Sequence, residues 1–184
     1  MGRSITKPAE LSGESEDLYK AINAEAPLAC ALIVGASLEK ALISILGKFF
    51  VECETAKNVL SEKGALRDFA HCADVAYCLG LISQGMLENL KIFGRIRNAF
   101  AHSHPFIDFD DKTIQELCAK LTLPHVAHAV VVGGGEPTPL EKFARTPRER
   151  FSLVGVLSFQ RLLGTAISTE HRNKSFDYWD EEKE

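Results

Sequence analysis

Apolar residues recur at helical spacing in six stretches of the chain, which predicts an all-α protein: a helical bundle of about six helices. A short helix runs from about Ser15 to Asn23, and a long one from Pro27, well suited to a first helical turn, to about Cys53. The apolar residues of the long helix (Leu32, Ile33, Ala36, Leu42, Ile43, Ile45, Leu46, Phe49, Phe50) nearly encircle it, as expected of a central bundle helix. A third helix, about Ala65 to Ile82, should bury Leu66, Phe69, Ala70, Ala73, Ala76, Tyr77 and Gly80. The fourth covers about Gly85 to Ala101. Asp110 or Asp111 then caps a fifth that reaches about Leu121. Thr146, Pro147 and Glu149 spell a capping box for a sixth helix, to about Glu170.

Between the last two helices, Val130-Val131-Val132-Gly133-Gly134-Gly135 reads as a flexible loop, with a short strand and turn as the alternative. No GKS or GKT follows these glycines, so they are not a phosphate loop. The expected organisation is a flexible N-terminus (1–14), one bundle domain (15–170, with a loop at 124–145) and an acidic, aromatic tail (171–184). Such a tail ordinarily frays. The other role open to it is docking of Tyr178 and Trp179 into a groove of this or another chain.

Composition narrows the partners. With 184 residues, 46% hydrophobic and 25% charged, the chain is long enough for one core and ordinary for a globular domain. Its net charge of −4 lacks the basic face from which DNA-binding proteins draw affinity. Direct DNA binding is therefore disfavoured, although a local basic cleft could hold RNA. The only basic run of note, Arg145 to Arg150, lies at a helix start. Five cysteines (Cys30, Cys53, Cys72, Cys78, Cys118) form no CxxC and read as small residues in a reducing cytosol. His71 beside Cys72 has no second pair to complete a metal site, so no metal and no cofactor is expected. The N-terminus has no secretory apolar region. The apolar stretch Leu28 to Val51 carries Glu39, Lys40 and Lys48, which suits a core helix better than a membrane span. The expected setting is cytoplasmic, and the apolar load of the helices favours a dimer.

Candidate chemistry sits at the end of the fourth helix. At about 100° per residue, Met86, Leu90, Phe93, Ile96, Arg97 and Phe100 fall on one broad side, and Lys91, Arg95, Asn98 and His102 on another. Arg97 is the anomaly, because a guanidinium among apolar neighbours must find acceptors. One structural answer is a buried pair with Glu39, while Asn98 and His102 cap the helix end and fix the following turn.

Arg97-Asn98-Ala99-Phe100-Ala101-His102 also resembles the Arg-x4-His signature of the HEPN superfamily of four-helix nucleotide-binding and RNase domains. A broader resemblance covers roughly Ala31 to Leu121 and Arg148 to Leu163. It is carried by Gly35-Ala36-Ser37-Leu38-Glu39-Lys40, Tyr77-Cys78-Leu79-Gly80-Leu81-Ile82, Ile96 to Ser103 and Asp108-Phe109-Asp110-Asp111. These stretches look like proteins of the mannitol operon repressor type (MltR-type). That resemblance implies an all-helical regulator with a HEPN-like core and no DNA-reading helix, acting in transcriptional regulation through protein partners. The HEPN resemblance implies the alternative, a metal-independent ribonuclease. His102 would move the proton, Arg97 would brace the phosphate and Asn98 would orient one of them, with Arg95 or His104 assisting. Five residues on a helix separate Arg97 from His102 by about 140°. Catalysis therefore requires fraying after Ala101 or a cleft shared by two subunits. Nucleotide or small-ligand binding in the bundle is a third possibility.

Overall fold

In the computed structural model the described residues are Leu18, Ile22, 26–102, 107–124, 129–130 and 138–173. They form α1 (Pro27–Phe49), α2 (Glu54–Leu60), α3 (Phe69–Cys78), α4 (Gln84–His102) and α5 (Lys112–Ala119). Then follow β1 (Ala129–Val130), β2 (Thr138–Pro139), a 3-10 turn (Leu140–Phe143) and α6 (Pro147–Ser168). The architecture is an all-α bundle, as the periodicity predicts. Within the stretch read as a loop, Ala129 pairs with Pro139 and Val130 with Thr138 in a two-residue antiparallel ladder.

Helix α1 is the axis of the bundle, packing on α6, α4 and α3, while α5 bridges α4 and α6. Its second half, Ala41 through Leu46, is buried on every side. Its first half is not, because Leu32 and Ala36, one turn apart, face outward, and Leu32 is 40% exposed. Where α6 crosses α1, Gly155 faces the Val34 side chain. A Cβ on Gly155 would stand 2.9 Å from a Val34 methyl carbon, so any larger residue there would have to displace Val34. Helices α1 and α6 are long and apolar enough to span a bilayer by length and composition, with 56% of each apolar window buried inside the bundle. The two pack against each other.

Local chemistry sets the helix ends. The capping box at α6 is complete: Thr146 accepts from the Glu149 amide and Glu149 accepts from the Thr146 amide. Of the two candidate caps for α5, Asp111 is the one used, accepting from the amides of Thr113 and Ile114. Asp68 does the same for α3, so that helix begins later than its apolar pattern suggests. It ends in a Schellman motif with Gly80 at φ 72, where the Gly80 and Leu81 amides donate to Tyr77 and Ala76. The buried stripe of α3 is Phe69, Cys72, Ala73 and Ala76, a clean i, i+3, i+4, i+7 set. Ala70 and Tyr77, expected on it, are exposed because they lie one position round the helix. Helix α2 has no counterpart in the sequence reading. Leu60 is its one buried residue, which leaves almost no periodic signal.

Candidate functional site

Helix α4 opens at Ser83, whose hydroxyl accepts from the Met86 amide, and continues without interruption to His102. Leu87, Leu90, Phe93, Ile96 and Phe100 point into the core. An aromatic column fixes the far end: Phe100 packs on Phe109, Phe109 on Phe151, and Phe151 on Phe93, with ring centroids 5.1 to 5.2 Å apart. Asn89, buried among these apolar residues, holds the chain beyond α5. Its amide donates to the Thr122 carbonyl, and its carbonyl accepts from the Thr122 amide and hydroxyl.

Arg97 lies in a cradle built by α1 and α3. Its guanidinium donates to Glu39 of α1 at 2.9 Å, each side chain remaining about a quarter exposed (27% and 25%). The same guanidinium lies 5.7 Å from the Phe69 ring centroid. Its stem runs over Gly35, one turn before Glu39, where a Cβ would fall 2.6 Å from Arg97 Cδ. The sequence suggested the Glu39 partnership but missed Gly35. The available signal was a glycine four residues before an acid on the helix expected to be central.

The neighbouring polar residues behave differently. Arg95, Asn98 and His102 are exposed and, being three and four residues apart, form one stripe along α4. Lys91 extends the stripe at one end, paired with Asp74 at 2.7 Å. Because α4 stays helical through His102, one chain does not bring His102 round to Arg97. Of the remaining expected site residues, His104, Tyr178 and Trp179 lie outside the described residues.

The basic run at the start of α6 is largely spent inside the fold. Arg148 donates to the Ile22 carbonyl at 3.1 Å, and Arg150 donates twice to the Leu121 carbonyl, at 2.9 and 2.6 Å. Arg145 is exposed. Burial pushes the thiols of Cys30 and Cys118 up, Cys118 to about 12, so both are neutral core groups rather than nucleophiles. Among the described residues no three His, Cys, Asp or Glu side chains cluster as metal ligands would.

No family model matches the chain, and no curated protein matches it in sequence. Among solved structures it is similar to a chain of the X-ray structure of the MtlR–HPr complex from Escherichia coli. The TM-score is 0.61 and the identity 16%, and the match covers 82% of this chain and 99% of that one. At that identity the likeness establishes a shared helical fold, and its coverage shows that the whole bundle is shared rather than one hairpin.

Proposed function

We propose that this chain is a small cytoplasmic regulatory protein of the mannitol-repressor type, acting in transcriptional regulation by binding a protein partner rather than by reading DNA. The observation that carries this reading is the split of the Arg97 to His102 segment. Its strongest cation is consumed by Glu39 inside the fold, whereas Arg95, Asn98 and His102 stand on the outer face of a rigid helix. A polar stripe fixed on a packed helix is a recognition surface, because its residues are held in place before any partner arrives. Arg148 and Arg150, the middle and end of the one basic run, spend guanidinium donors on the carbonyls of Ile22 and Leu121, which leaves fewer for phosphate contacts. The structure of similar fold is a complex with HPr, so HPr from the same source is the first partner to test. A titration calorimetry experiment would measure HPr binding by the protein and by Arg95→Glu and His102→Ala. Saturable binding weakened tenfold or more in the variants, about 1.4 kcal/mol, is the expected result. Binding unaffected by both variants would remove α4 from the interface.

A second reading, a metal-independent HEPN-type ribonuclease working as a homodimer, is favoured by one observation. Asn98 and His102 are exposed together at the end of α4, open to a second copy. Arg97 would then have to exchange Glu39 for phosphate. Total RNA incubated in EDTA with the protein, Arg97→Ala and His102→Ala distinguishes the readings. RNA cleaved by the parent at low protein ratios and left intact by both folded variants would overturn the regulatory reading.

A further inference from the structure

A groove on the opposite end of the bundle is independent of that function. It lies between the end of α1, the α3–α4 turn and the last turns of α6, with a volume of about 800 Å³. Phe49 and Leu81 supply apolar surface, and the lining carries Arg161, His171 and Arg172 against one carboxylate, Glu170. A smaller hollow of about 270 Å³ adjoins it, sharing Gly80, Leu81, Arg161 and Thr165 and adding Met86. Two side chains near this end are already committed to the carbonyl ends of helices: Lys48 donates to Ile167, and the His171 ring bonds to the Phe50 carbonyl. The guanidinium of Arg172 is stacked at 4.7 Å from the Phe49 ring centroid, which leaves its edge for acceptors. Arg161 is exposed and has no ion pair among the described residues.

We propose that this groove is the docking site of the chain's own C-terminal segment, residues 174–184. Continuity is the first argument. The Arg172 amide donates to the Phe49 carbonyl, so the chain is fastened to α1 at the groove and passes through its lining at Asn173. The next eleven residues therefore start where they dock, and an intramolecular ligand of this kind acts at an effective concentration in the millimolar range. Complementarity is the second argument. The segment offers Phe176, Tyr178 and Trp179 to the apolar part of a mixed lining, Leu81 and the adjoining Met86. It also brings Asp177, Asp180, Glu181, Glu182 and Glu184, against only Lys174 and Lys183, to the two arginines.

The chain has one tryptophan, Trp179, so its intrinsic fluorescence reports on this segment alone. The full chain, its urea-unfolded form and an Arg161→Glu/Arg172→Glu variant would be compared by emission maximum and acrylamide quenching, with helical circular dichroism as the folding control. The proposal expects a blue-shifted emission and severalfold weaker quenching in the native chain. Both should be lost in the folded variant and unchanged across a wide dilution series. Native quenching equal to that of the unfolded chain would overturn it, as would protection that survives the double charge reversal. Protection lost on dilution would assign the groove to the tail of a second copy, which also overturns docking within one chain. An Arg161→Lys/Arg172→Lys variant, which keeps charge, should keep the protection even if the charge reversal fails to fold.

Discussion

Arg97 and Asn98 are adjacent in sequence and belong to different worlds. Arg97 is enclosed by Gly35, Glu39 and Phe69, so its contacts are made by the fold alone. Asn98 lies with Arg95 and His102 on the exposed face of α4. The contrast teaches that a short motif does not have one fate. The rotation of a helix can divide it between architecture and recognition, and only the exposed half is free to act on another molecule.

The first way to break this comparison is to attack the enclosed side at its base. Phe93→Ala removes a ring that packs on Phe151 at the foot of α4, and should cost about 3–5 kcal/mol, read as a lowered urea midpoint. A loss below about 1 kcal/mol would mean that α4 is not held as described. Next comes alkaline pH. The Cys118 thiol is raised from 9.0 to about 12 by burial, so the folded chain holds its proton more tightly than the unfolded one. That stabilisation is complete below pH 9 and drains away as pH rises from 9 towards 12. Urea midpoints should fall over this range, and fall less steeply in Cys118→Ala. Glu39→Ala, which strips Arg97 of its partner, should cost about 1–2 kcal/mol. The pair is partly exposed, and water recovers some of the loss. Smallest of all is the exposed side. Asn98→Ala and His102→Ala should change stability by no more than about 0.5 kcal/mol in thermal melts. If His102→Ala destabilised the fold as much as Glu39→Ala, the division between the two sides would be lost.

Much of the architecture could be read from residue order because its signals are local. The capping box at Thr146 and Glu149, the cap at Asp111 and the apolar stripe of α4 each need only a few neighbouring residues. Helix α2 escaped because Glu54 to Leu60 buries a single leucine, and the outward face of Leu32 and Ala36 escaped because packing, not composition, decides which apolar residues are covered. At the candidate site the anomaly of Arg97 was visible, and so was Glu39 as a partner. The Phe69 ring, the Asn89 hold on Thr122 and the Arg150 tie to Leu121 were not, since each joins positions far apart in sequence whose meeting depends on the tertiary fold. The groove at Arg161 is of the same kind, assembled from three separate elements.

The two-way bond between Asn89 and Thr122 and the capping box at Thr146 have a joint consequence for engineering. They hold the chain at Thr122 and at Thr146, and between these posts Leu123 packs on the core and the 3-10 turn on α6. Lengthening a connection between two fixed posts costs only logarithmically, about 0.6 kcal/mol for each doubling. This makes the connection from β1 to β2 a natural port: a fluorescent module or an affinity tag spliced there should leave the bundle, the α4 stripe and the groove to fold as before.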